Sequence, residues 1–309
     1  MKKFCIYHNR DLDGFSSGAI VKKKFPDCKL IGFDYGMPLE TILKEINMGD
    51  MVIMVDISLP MEDMKHIADI CMGNFIWIDH HRSAISEFLD SDFLRSPATK
   101  KTLHENFAVY ETPHLRAILQ DGIAACEIAW HYFFKGQRVP EAISLLGEYD
   151  TWRKEDNARW SEKIIPFQFA FRAICKSPET FPEWAFGDDV NVSLTIRTGM
   201  AILKYIHTTN EINCQKNSFV IDFKGKKAIC LNGGGFNSDV FKSVYDEDKH
   251  DLMMPFQFNG KFWTVSLYTT KDEIDCSVLA KSMGGGGHKK AAGFQVEDIA
   301  FITNQNQIL

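Results

Sequence analysis

The sequence predicts an α/β protein of two domains: an N-terminal, mainly parallel sheet flanked by helices, then a smaller mixed α/β domain. Three observations carry this prediction. Short apolar, β-rich runs alternate with helical periods through the first 80 residues, the chain turns helical after residue 120, and a β-rich texture returns near residue 216. With 309 residues the chain has the length of about two domains of roughly 150 residues each.

In order, "FCIYH" (4–8) reads as a strand and "SSGAIVKKKF" (16–25) as a helix capped by a serine. "CKLIGF" (28–33) is a second strand with a helical segment from Pro38, and "MVIMVD" (51–56) a third with a helix from Pro60 to about Cys71. "FIWID" (75–79) is the fourth. "DGIAACEIAWHYFFK" and "PEAISLLGEYD" carry apolar residues at helical spacing, so helices complete a first domain over 1–190. The amphipathic stretch 191–215 is a linker helix, and 216–309 form the second domain. There "SFVIDFKGKKAICLN" reads as a hairpin turned by Lys-Gly-Lys, and "LMMPFQFNGKFWTVSLYTT" as one turned by Asn-Gly. "CSVLAKSM" is a short helix, and "MGGGGHKKAAGFQV" precedes a last strand.

Charged residues at 25% and hydrophobic ones at 45% place the chain among soluble globular proteins. A net charge of -6 weighs against coating long duplex nucleic acid. Lys22-Lys23-Lys24 and Lys289-Lys290 read first as solvated faces, leaving room for a small anionic substrate. Eight single cysteines without a CxxC pair read as reduced and buried. The apolar start is too short for a signal peptide and no run has the length of a membrane span, so the expected location is cytoplasmic, with no membrane partner.

The chemistry gathers at strand ends. Asp11 and Asp13 follow the first strand, Asp56 ends the third, and Asp79-His80-His81 ends the fourth. In an open parallel sheet these ends share one edge, where sites form. Each motif alone is commonly a cap or a turn; their joint placement is what points to a site. Carboxylates so crowded need cations. Oxygen and nitrogen donors without cysteine suit Mn²⁺, with Mg²⁺ or Co²⁺ as options, and the number of groups suggests two ions clamping a phosphoryl group.

"RDLDG", the strand ending in Asp56, "DHH" (79–81), "GEYDTW" with Asp150 and the C-terminal "GGGGHKKAAG" (284–293) occur in the order of the DHH phosphoesterase superfamily and its associated C-terminal domain, which this chain resembles. The resemblance implies His8 and Asp11 on one metal, Asp13, His80 and Asp150 on the other, and Asp56 bridging. It further implies that Asp79 orients the imidazoles and His81 contacts the scissile phosphate. Asn9 competes with His8 for the first ligand slot; imidazole is the better ligand, which favours His8. Gly285, Gly286, Gly287 and His288 would grip the nucleotide or its terminal phosphate, since glycines allow close backbone approach to an anion. "NGGGF" (232–236) reads as a turn before a helix. Trp152 and Arg82 are the best-placed further candidates for substrate contact.

"HNRDLDG" followed by a small-residue helix most resembles the nano-RNase, oligoribonuclease-like branch. The resulting expectation is a hydrolase that uses a bimetal site to attack phosphorus in short single-stranded oligonucleotides or nucleotide phosphoesters. Rivals within the class are a cyclic- or linear-dinucleotide phosphodiesterase, a nucleoside bisphosphate phosphatase, and an exopolyphosphatase or pyrophosphatase. Outside it stands an inactive nucleotide-binding regulator, disfavoured by the intact set of ligands. The oligomeric state stays open, a homodimer among the options.

Overall fold

The structure is a computed structural model that describes residues 1–304. It separates into a first unit, Met1–Leu203, and a second beginning at Lys204. The chain runs through β1 (Lys3–His8), α1 (Leu12–Lys24), β2 (Lys29–Phe33), α2 (Glu40–Leu43), β3 (Met51–Val55), α3 (Met61–Ile70), β4 (Phe75–Asp79) and α4 (Arg82–Asp90). There follow β5 (Lys100–Leu103), β6 (Ala108–Glu111), β7 (Arg116–Leu119), α5 (Ala125–Phe133), α6 (Glu141–Asp150), α7 (Asn157–Arg159), a π turn over Trp160–Ile164, α8 (Ile165–Ile174) and α9 (Asp189–Asn217).

The first unit is a mainly parallel sheet in the order β2-β1-β3-β4-β7-β6-β5. β2, β1, β3, β4 and β7 run parallel, and β6 and β5 close one edge antiparallel. Cys5, Tyr7, Ile53 and Val55 face one core, while Phe4, Ile6, Val52 and Met54 face the other. Burial on both faces is why these strands are unbroken apolar runs instead of alternating ones. Because β2 and β3 lie on opposite sides of β1, the strand order reverses there, and a crevice opens at their C-terminal ends.

The first helix departs from expectation. It begins at Leu12, and its N-cap is Asp11, whose carboxylate accepts the Gly14 amide at 3.0 Å. Aspartate caps as well as serine does; Ser16 and Ser17 are instead fully buried inside the helix. Gly14 lies in the first turn, where a Cβ would collide with the His8 carbonyl, so its absence lets α1 press onto the end of β1. The segment after Pro38 forms only the single turn α2.

The second unit holds β8 (Phe219–Phe223), β9 (Lys226–Asn232), β10 (Leu252–Phe258), β11 (Trp263–Tyr268), α10 (Cys276–Lys281), β12 (Gly286–Gly287), β13 (Ala291–Val296) and α11 (Ala300–Thr303). Its sheet, ordered β12-β13-β11-β10-β9-β8, is mixed: β9 and β10 run parallel and the other pairs antiparallel. Lys224 and Gly225 both take positive φ, +55° and +76°, as a two-residue hairpin turn requires. The last strand lies within "AAGFQV" and not beyond it, paired along its length with β11. The stretch 191–215 lies within α9. Among the described residues no helix is long and apolar enough to cross a membrane.

Candidate active site

Four strand ends and the adjoining helices build the site. His8 closes β1, Asp11 caps α1, and Asp13 sits in its first turn with both carboxylate oxygens accepting amides from the start of α5, Ala125 at 2.9 Å and Cys126 at 2.8 Å. Asp56 follows β3 with φ +59°, a left-handed conformation that aspartate tolerates better than most residues. Its amide is tied to the Ile78 carbonyl of β4 at 3.0 Å, which aims the carboxylate inward. Asp150 arrives on the last turn of α6.

The carboxylates and imidazoles form interlocking groups. His8 Nδ1 stands 3.3 Å from Asp11 and 3.5 Å from Asp56 Oδ2. His80 Nε2 stands 3.3 Å from Asp56 Oδ1, 3.4 Å from Asp150 and 3.6 Å from Asp13. The two oxygens of Asp56 thus face two different donor sets, His8 with Asp11 and His80 with Asp13 and Asp150. Asp56, His80 and His81 also converge within ligand distance of one another.

His8, Asp13, Asp56 and Asp79 are buried. Burial works against a proton on His8 and His80, but the carboxylates around each outweigh it and raise both from 6.5 to about 10. Burial, reinforced by the Asp13 charge, pushes Asp150 up to about 7, although 27% of its side chain meets solvent. Asp13 moves upward through burial and then the like charge of Asp56. The set fits divalent cations on two counts. Its donors are all oxygen and imidazole nitrogen, and His8 Nδ1, buried among carboxylates, makes no hydrogen bond.

Asp79 lies beneath. Fully buried, it accepts the amides of His80 at 2.7 Å and His81 at 3.0 Å, the Trp77 indole at 3.2 Å and His81 Nδ1 at 2.7 Å. That last bond raises the His81 pKa and fixes the ring with Nε2 outward. Asn9 stays outside the cluster: its side chain packs over Gly32 of β2. Arg82 is exposed, 3.9 Å from Asp121. A cavity of about 790 Å³ lined by Met51, Ile76 and Arg116 opens at the opposite, N-terminal strand edge and contains none of these residues.

In the second unit Gly286 and Gly287 form β12, and His288 is exposed at the turn into β13. The Gly285 and His288 amides are engaged by the carbonyls of Ala280 and Ala291, while Lys290 binds Asp272 at 2.7 Å. A Cβ on Gly285 would strike the Gly293 carbonyl and Phe294, so this glycine serves packing.

No protein-family model matches the sequence. The oligoribonuclease NrnB of Bacillus subtilis (strain 168) is 23% identical over 319 residues, covering 95% of this chain and 73% of that protein. The similarity extends over nearly the whole chain, and the four ordered motifs gather at one sheet edge. The chain resembles the DHH phosphoesterase superfamily. An uncharacterized protein, R106 of Acanthamoeba polyphaga mimivirus, is 27% identical over 264 residues, 80% of this chain and 53% of that one, so the chain spans about half of this relative's length. Among solved structures, the pGpG-specific phosphodiesterase PggH from Vibrio cholerae aligns over 98% of this chain and 95% of its own at 10% identity and a TM-score of 0.48. An exopolyphosphatase-related protein from Bacteroides fragilis aligns over 96% and 88% at 15% identity and a TM-score of 0.45.

Two features of this site are absent from the sequence expectations. Asp34, directly after β2, places its carboxylate 3.5 Å from His8 Nε2. The signal was available, since "GFD" ends its strand as "MVD" ends the third. Glu127 on α5, itself buried, forms an ion pair with the part-exposed Arg153, just past Asp150; nothing in its local sequence marks it.

Proposed function

We propose that this protein is a divalent-metal-dependent phosphoesterase that hydrolyses short single-stranded oligonucleotides, in the manner of a nano-RNase. The observation that carries the reading is Asp56: one buried carboxylate turned toward two donor sets. Similarity to an oligoribonuclease over nearly the whole chain supports the substrate class. His8, Asp11 and Asp56 would hold one ion, and Asp13, His80, Asp150 and Asp56 the other. Divalent ions there supply Lewis acidity toward a phosphoryl oxygen and toward water; Mn²⁺ is the expected metal.

The chain's own groups do the rest. Asp13 is locked by two α5 amides, so its direction is set before any ligand enters. Asp79 keeps His81 oriented and favours its protonated form, which can donate from Nε2 to an anionic phosphate oxygen and stabilise charge that develops there. In the second unit the Gly286–Gly287 backbone and the His288 ring would take a terminal phosphate. A reducing, cytoplasmic setting suits the eight cysteines, all free and buried.

The test is turnover by the purified protein with Mn²⁺, on RNA and DNA of two to about twenty nucleotides, cyclic dinucleotides, adenosine bisphosphate and polyphosphate. The shortest RNAs should be consumed fastest, and Asp56→Ala should lose both ions and at least about a thousandfold in rate. If no phosphoester turns over while two ions are bound, the reading is wrong.

A further inference from the structure

Beside Asp150 the chain carries an aromatic assembly that the metal cluster does not use. α6 ends in a Schellman arrangement: the Trp152 amide donates to the Tyr149 carbonyl at 3.2 Å and the Arg153 amide to the Glu148 carbonyl at 3.0 Å. The left-handed position of this motif normally belongs to glycine. Here it holds Trp152, with φ +58°. A bulky side chain there is an outlier, and backbone strain of this sort gathers at functional sites.

The indole gains little burial in return, since 60% of the residue is exposed. It is nonetheless held. Trp160 meets it edge-on with centroids 5.0 Å apart, and Tyr149 does so at 5.9 Å. Tyr149 and Trp160 lie parallel to within 1° at 5.7 Å, so the two supports brace each other. Trp160 opens the π turn, an irregularity frequent at functional sites. The Lys154 ammonium lies 3.7 Å from the Trp152 ring centroid and 4.8 Å from that of Trp160.

We infer that Trp152, braced by Tyr149 and Trp160 and flanked by Lys154, is a stacking platform for a nucleobase next to the hydrolytic site. The inference rests on the phosphoesterase reading and adds to it a base subsite. Trp152 lies two positions after Asp150, a backbone reach of at most about 7 Å, so a stacked base would belong to the nucleotide whose phosphate lies at the cluster. A flat, rigid, cation-flanked aromatic suits an anionic nucleotide, and stacking of this kind accepts any base because every base presents a π face.

The experiment compares AMP with inorganic phosphate by calorimetric titration in Mn²⁺ buffer, on the full chain and on Trp152→Gly and Trp152→Phe. Glycine suits the left-handed backbone, so Trp152→Gly should melt at or above the wild-type temperature, which removes misfolding as an explanation. Its AMP affinity should fall by about 5- to 150-fold while phosphate binding is unchanged. Trp152→Phe should restore most of the loss. The platform is refuted if Trp152→Gly binds AMP as the wild type does, if AMP and phosphate weaken together, or if the wild type binds AMP no more tightly than phosphate. A Trp152-dependent AMP affinity in a protein that cleaves no phosphoester would instead retain the platform and refute the hydrolytic reading.

Discussion

His8 and Asn9 are adjacent in sequence and have opposite surroundings. The imidazole stands among Asp11, Asp34 and Asp56, and the carboxamide packs outside the cluster over Gly32. In the proposed site, His8→Ala should abolish binding of one of two ions and Asn9→Ala should change affinity less than about threefold, as read by equilibrium titration with Mn²⁺. A larger loss in Asn9→Ala would transfer the ligand role to the amide. Sequence left this choice open because a strand end alternates faces, and the last residue to point inward depends on where the pleat stops. Asp34 shows the same limit from the other side, since its meaning depends on β2 lying beside β1, a pairing that no local pattern encodes.

At the level of elements, the site is an arrangement of helix ends. The first amides of α5 fix Asp13, the N-cap of α1 is Asp11, and the last turn of α6 delivers Asp150. α5 and α6 meet where Glu127 lies against Gly147, with Glu127 also bound to Arg153. Any Cβ at 147 would strike the Glu127 carboxylate. Alanine in a helix interior ordinarily stabilises by about 1 kcal/mol relative to glycine. Here Gly147→Ala should instead destabilise by about 1–3 kcal/mol in urea unfolding, because it overpacks the buried Glu127 carboxylate; increased stability would refute the packing argument. Strands with continuous apolar runs and helices with clear periods were legible in sequence. β5, "KKTL", was not, because it is exposed at every position and owes its strand form to pairing with β6. The early start of α1 was obscured for a related reason: Asp11 and Asp13 belong to the helix and to the site at once.

For the molecule as a whole, the cluster couples stability to protons and, in the proposed function, to cations. The His8 and His80 imidazoles, raised from 6.5 to about 10, contribute stability to the metal-free fold that is complete below pH 6.5 and lost as the pH rises through 10. Asp150, raised from 3.8 to about 7, acts in the same sense: its contribution is complete below 3.8 and lost through pH 7, where its charge is forced among other carboxylates. The metal-free protein should therefore melt at progressively lower temperature from pH 6 to pH 8.5. Divalent cations prefer the deprotonated ligands, so the rise in melting temperature on adding Mn²⁺ should grow over the same interval, with protons released on binding. Scanning fluorimetry in EDTA and in Mn²⁺ across these pH values reads both curves. Parallel curves would mean that cations and protons do not compete for one set of groups. Divergence that persists in Asn9→Ala and collapses in Asp56→Ala would trace the competition to the carboxylate shared by both donor sets.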